Sequence, residues 1–127
     1  MRETGERLGL SGVEYIHARA EEAPEAFRES FDVATSRAVA KLNVLCELCL
    51  PLVRPGGVFA AMKGPDCQEE IEQAANALKA LGARYEKTYS YEIPGTDIVH
   101  SVVIIRKTGN TNAKYPRRWA QIKGRPL

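Results

Sequence analysis

Arg37 is the one charged residue in Thr35-Ser36-Arg37-Ala38, directly after the short apolar stretch Phe31–Thr35. A guanidinium at a strand end, beside the start of a helix, suits an anionic or π-rich ligand. As a plain surface cation it would sit at a helix N-terminus, where positive charge is slightly disfavoured. In open α/β sheets, ligands bind outside the carboxyl ends of the strands. Ser36 and Arg37 fall there. Arg19-Ala20-Glu21-Glu22 follows another strand-like stretch, Val13–Ala18, and so faces the same edge. A carboxylate or backbone group at Ala20-Glu21 could meet a nucleoside, although an acidic lead-in to a helix explains these residues without any ligand. Lys63-Gly64 closes a third such stretch, Val58–Met62. Lysine there could hold a phosphate, and glycine lets a backbone approach closely. A simple turn explains the pair equally well.

Other chemistries are poorly supplied. Cys46-Glu47-Leu48-Cys49 matches C-x-x-C, but redox motifs place the first cysteine at a helix N-terminus, where its pKa falls. Here both cysteines lie mid-helix, so packing is the expected role. Cys67 has no ligand-type spacing to them, and with only His17 and His100 in the chain no zinc site is expected. His17 reads as a strand histidine. His100, near Asp97, could form an acid–base pair but reads better as a polar lead into a strand. No nucleophile triad or carboxylate pair stands out, so no catalytic acid or base is assigned. The closing segment is different. Lys114-Tyr115-Pro116-Arg117-Arg118-Trp119 interleaves cations with aromatics, a common way to hold single-stranded RNA. The plainer reading is a disordered basic end.

The elements that must position these residues follow from periodicity. Met1–Leu8 looks like the last turns of a helix stopped at Gly9. Val13–Ala18 alternates apolar and polar, and Pro24 suits the first turn of a short helix over Glu25–Ser30. Phe31–Thr35 shows little polar alternation, as expected of a strand covered on both faces. Ala38, Leu42, Leu45, Cys49 and Leu52 make one helical stripe. Pro55-Gly56-Gly57 is expected to stop that helix and turn the chain into the strand Val58–Met62. Asp66 is a plausible N-cap for a helix burying Ile71, Ala74, Ala75, Leu78 and Leu81 and ending at Gly82. Arg84–Ile93, with three tyrosines, reads as a half-exposed strand, and His100–Lys107 as a strong one. With no helix between them they should pair antiparallel. Loop is expected after Thr108, with a short turn near Trp119. The chain thus divides into an α/β domain over residues 1–107 and a basic tail over 108–127.

At 127 residues the chain is sized for one domain and small for a complete nucleotide-binding enzyme. No apolar stretch approaches the roughly 20 residues of a membrane span, and the opening MRETGERLGL lacks the apolar core of a signal peptide. Three cysteines suggest no disulfide framework. A cytoplasmic protein is expected. The net charge of +2 conceals an asymmetry: Arg106–Leu127 carries seven basic residues and no acid, while all 16 acids lie upstream. A basic tail on an acidic body suggests a polyanionic partner, RNA first of all.

With these segments placed, the chain resembles the RsmG (GidB) family of bacterial 16S rRNA guanine-N7 methyltransferases. The resemblance is carried by LGLSGVEYIHARAEE, FDVATSRAVAKL, LCLPLVRPGGVFAAMKG, the PGTD loop, HSVVIIRK, and the closing KYPRR and KGRPL. It implies a class I, Rossmann-like methyltransferase sheet, of which these strands would be the third to seventh. It implies S-adenosylmethionine as methyl donor, held by Ala20, Glu21 and Arg37, and 16S rRNA or the small ribosomal subunit as partner. Lys63, Lys114, Arg117, Arg118, Lys123 and Arg125 would then hold RNA. The family's glycine-rich cofactor loop and acidic ribose-binding residue have no counterpart in this sequence, so the chain reads as a carboxyl-terminal portion. Its missing central strands would leave edges open to dimerisation or to a complementing partner.

Two rival readings differ in class. One is a non-catalytic RNA-binding or complementing fragment, motivated by the absent glycine loop and the basic tail. The other is a different Rossmann enzyme, such as a dehydrogenase, which would need its own glycine fingerprint.

Overall fold

The computed structural model describes residues 6–9, 11–13, 20–22, 25–37, 40–65 and 67–127. The expected strand Val13–Ala18, the opening helix and the Asp66 cap lie wholly or largely outside these residues. Within them, four strands form one mixed sheet: β1 (Phe31–Ser36), β2 (Val53–Lys63), β3 (Ala83–Glu92) and β4 (Val99–Lys107), in the order β1-β2-β4-β3. β1 and β2 pair parallel through a helical crossover, while β4 runs antiparallel to both β2 and β3. This is the α/β architecture with an antiparallel ending, compatible with part of a Rossmann-like methyltransferase sheet.

Helices α1 (Leu42–Cys49), α2 (Gln68–Gln73) and α3 (Ala75–Leu81) pack on one face of the sheet. Phe59 and Ala61 of β2 and Val103 and Ile105 of β4 are fully buried beneath them, together with Leu42, Leu45, Cys46, Ala77 and Leu81. The alternation of β2 and β4 sends every second side chain to that core.

Several boundaries differ from expectation. The helix after β1 begins at Leu42, and Leu50–Leu52 tightens into a 3₁₀ turn with Pro51 at its start. The buried side also differs from the expected stripe: Cys46 and Leu50 are fully buried while Cys49 and Leu52 are only half-buried. Pro55-Gly56-Gly57 does not end the crossover: it is a bulge within β2. Phe31 pairs with Val53 and Val33 with Val58, so β2 carries extra residues against β1. Glycine is needed at 57 because a Cβ would stand 2.5 Å from the Asp32 carbonyl. The helix expected up to Leu81 is interrupted at Ala74, which leaves Ala77 buried and Ala75 exposed. Gly82 ends α3 at φ 76°, as its left-handed cap position requires.

Residues 108–127 are tied to the body. A short helix, α4 (Trp119–Gly124), forms there, and Tyr115 and Ile122 are buried. The Arg28 guanidinium donates to the carbonyls of Tyr115, Thr111 and Asn112 at 2.6, 3.0 and 2.8 Å. Thr111 donates its hydroxyl to the Leu81 carbonyl and its N–H to Glu29. Lys107, wholly buried, donates to the carbonyls of Leu50 and Val53 and reaches Glu29 at 3.4 Å. Burial pushes its pKa down, and Glu29 opposes that shift.

Candidate functional site

The carboxyl end of β1 gathers the features that point to a ligand. Ser36 is half-buried, and its side-chain oxygen is enclosed with no hydrogen-bond partner, the one such side-chain atom among the described residues. A buried hydroxyl left unpaired is costly, so its retention here calls for a partner. Arg37 follows at once, exposed and, among the described residues, with no ion pair or hydrogen bond. Ala20–Glu22 forms a short 3₁₀ turn that lies against α1, with Ala20 exposed. A polar nucleoside-bearing cofactor fits the donor pair at the end of β1, an unpaired hydroxyl beside an exposed guanidinium.

Lys63 also ends its strand at this edge, but its ammonium faces inward. Its side chain is 4% exposed, and Nζ donates to the Ala40 carbonyl at 2.5 Å and to Glu70 Oε1 at 2.9 Å. The same Glu70 oxygen accepts the Leu42 N–H at 3.0 Å and so caps α1. Lys63 and Glu70 thereby anchor Ala40 and the start of α1. Sequence reading gave Lys63 to a phosphate and missed Glu70, which stands in a run of exposed acids with no pattern to mark it.

The tail cations divide in the same way. Arg117 binds the Glu47 carboxylate through Nη2 at 2.7 Å and Nε at 2.9 Å, and its own N–H donates to the same carboxylate at 2.8 Å. Glu47 is fully buried. This pairing raises the Arg117 pKa above its ordinary value. An acid set within the apolar stretch LNVLCELCL was the available signal, since buried charge requires a partner. Lys114, Arg118, Lys123 and Arg125 are exposed. The Lys114 ammonium lies 5.2 Å from the centre of the Tyr115 ring. A shallow concavity lined by Arg117, Ala120, Gln121, Gly124 and Arg125 opens beside α4. The chain then returns to the top of α1, where the Leu127 carbonyl accepts from Asn43 at 3.4 Å. The tail therefore climbs α1 toward the Arg37 edge.

The C-x-x-C pair is unsuited to redox work. Burial pushes the Cys46 thiol far up and the Cys49 thiol up to about 11. Among the described residues no helix is long and apolar enough to cross a membrane.

A family model described as rRNA small subunit methyltransferase G matches residues 1–99. The chain belongs to this family. It is 42% identical over 129 residues to a ribosomal RNA small subunit methyltransferase G of Alkaliphilus metalliredigens, covering all of this chain and 54% of that protein. A protein of the same name from Caldanaerobacter subterraneus is 48% identical over 122 residues, covering 94% of this chain and 51% of its own length. One from Clostridium tetani is 42% identical over 127 residues, covering 98% and 53%. The chain thus spans about half the length of the methyltransferase G relatives it matches.

Proposed function

We propose that this chain supplies part of an enzyme that transfers a methyl group from S-adenosylmethionine to guanine N7 of 16S small-subunit rRNA. The observation that carries the reading is the pairing of Ser36 and Arg37, an unpaired buried hydroxyl beside an exposed guanidinium, at the carboxyl end of a strand in a family member. When bound, the sulfonium cofactor supplies the methyl group. Arg37 would orient the cofactor, with Ser36 and the Ala20-Glu21 turn completing the contact. Guanine N7 offers an in-plane lone pair and carries no proton, so no general base is needed. What the protein contributes is alignment, which alone lowers such barriers substantially. Lys63 holds Ala40, at the entry to α1, and the exposed Lys114, Arg118, Lys123 and Arg125 face the polyanion. The cytoplasm, where ribosomes are assembled, is the compartment this reading requires.

Calorimetric titration of the folded chain with S-adenosylmethionine tests the reading, followed by transfer of labelled methyl to small ribosomal subunits. One-site binding, lost in Arg37→Ala, is expected. If Arg37→Ala weakens RNA binding as much as cofactor binding, its assigned role fails.

One observation favours the complementing-fragment reading. Among the described residues β1 is an edge strand, with Phe31 and Val33 exposed at 42% and 53%. Such an edge is a template for a further strand. A folded chain that binds RNA and no cofactor would favour this second reading.

A further inference from the structure

The two faces of the sheet are unequally dressed. Helices cover the face that carries Phe59, Ala61, Val103 and Ile105. The alternate positions Ala60, Met62, Val102 and Ile104 lie on the other face, and the register sets Tyr89 opposite Val102 and Tyr91 opposite His100. Tyr89 is 52% exposed, Tyr91 46% and Met62 43%. β3 and β2 both run antiparallel to β4, so they point the same way. Tyr89 and Tyr91 therefore approach the edge where Arg37 stands. Met62 pairs with Val102, and its predecessor Ala61 pairs with Ser36. Met62, Val102 and Tyr89 thus share one row across the sheet. Arg37 follows the last paired residue of β1, one step from that row, which puts Tyr89 roughly 14 Å away at the ordinary strand spacing.

We propose that Tyr89 and Tyr91, with His100 and Lys87, form a platform on which bases of single-stranded RNA stack beside the Arg37 edge. The inference rests on the rRNA reading above and adds a contact surface to it. The Tyr91 and His100 rings lie 5.9 Å apart at 27°, a stacked pair in which Tyr91 is 46% exposed. The Lys87 ammonium sits 4.8 Å from the Tyr89 ring centre. Two tyrosines two residues apart on a strand stand roughly 7 Å from each other on one face, an arrangement that suits successive bases of an extended strand. The neighbouring carboxylate, Glu86, is already held by Arg106 at 3.2 Å and lies 3.7 Å from Arg84. Lys87, exposed and packed on one side of Tyr89, adds a cation beside the platform. Stacking of this kind tolerates any base, because every base has a π-face.

The test is fluorescence anisotropy of the 127-residue chain with a short, unstructured, labelled RNA over a range of salt. Tyr89→Ala/Tyr91→Ala should weaken binding roughly 10-fold or more. The slope of affinity against salt should not change, because stacking releases no counterions. Tyr89→Phe/Tyr91→Phe should bind as the unaltered chain does. In that unaltered chain, ultraviolet cross-linking should place RNA on the tryptic peptide Thr88–Arg106. Unchanged affinity in the alanine variant, or adducts confined to the tail, overturns the platform while leaving the tail's role intact. Absence of RNA binding by the unaltered chain overturns the platform and the rRNA reading together. A protein segment seated on this face instead would appear as tyrosines protected from cross-linking, which also overturns it.

Discussion

Glu47 and Arg117, 70 residues apart in sequence, form an ion pair at 2.7 Å that fastens the basic tail to α1. The carboxylate side chain is 1% exposed and the guanidinium 21%. Three hydrogen-bonding groups of Arg117, including its main-chain N–H, converge on one buried acid. The charge that composition assigned to RNA is here part of the protein's own frame.

Removing one partner of such a pair leaves the other uncompensated. Glu47→Ala should destabilise the chain by about 3 kcal/mol, read as a lower urea midpoint. It should also expose the Arg117–Arg118 bonds to trypsin before the body unfolds. If tail cleavage and global unfolding accelerate together, the pair is not a local fastening.

In the proposed reading, phosphate contact falls to the exposed cations of the tail. Arg118→Gln/Lys123→Gln/Arg125→Gln should lower the salt slope of RNA binding by about 2, at roughly 0.7 per phosphate contact on single strands. The urea midpoint should stay near that of the unaltered chain, since these side chains are exposed. Deleting residues 114–127 would be a poorer experiment, because it also removes the buried Tyr115, Ile122 and the Glu47 partner. A slope that does not move would return the tail to a purely structural role.

What the sequence shows and hides divides along physical lines. Strand composition and helical spacing placed β1, β3, β4 and the Gly82 stop, and burial enforces the two-residue period in β4. The expectation that β1 is covered on both faces fails, since Phe31, Val33 and Thr35 are exposed. The Pro55-Gly56-Gly57 bulge was hidden, because a glycine demanded by a neighbouring strand looks the same as one demanded by a turn. Arg37 was legible as an odd cation at a strand end. Lys63 was legible as a strand-end lysine, but its inward direction depends on Glu70 and the Ala40 carbonyl, which no local pattern connects. The tail was misjudged as loose because Arg28, Glu29 and Glu47, which hold it, lie about 70 to 87 residues away.

Lys63 yields a prediction of its own. Lys63→Met keeps the length of the side chain and removes the tether on Ala40. Glu70 then loses its cation while still capping Leu42. Stability should fall by about 3 kcal/mol. Cofactor affinity should fall with it, because the segment that leads from Arg37 to α1 loses its anchor at Ala40. RNA affinity in the folded fraction should change little. A fall in RNA affinity and its salt slope, with cofactor binding intact, would restore Lys63 to the phosphate role read from the sequence.

The thiols of α1 set a pH dependence. Burial raises Cys46 far above, and Cys49 to about 11 from, the 9.0 of an unburied thiol. Between these values the native state keeps protons that the unfolded chain has released, so stability falls as pH rises. The thiol contribution is fully present below pH 9 and disappears as pH climbs through the folded values. Lys107 acts in the opposite sense: burial depresses its pKa, so deprotonation favours the native state as pH approaches the ordinary lysine range. The two effects are separated by Cys46→Ala/Cys49→Ala, which leaves Lys107 untouched. From pH 7 to 8.5 the stability difference between the unaltered chain and this variant should be constant. Between about pH 9 and 11 that difference should shrink by at least about 2 kcal/mol, the linkage value of a shift the size of that at Cys49. Urea unfolding measured across this range decides it. Parallel curves for the two proteins would mean that the thiols ionise in the folded chain as freely as in the unfolded one.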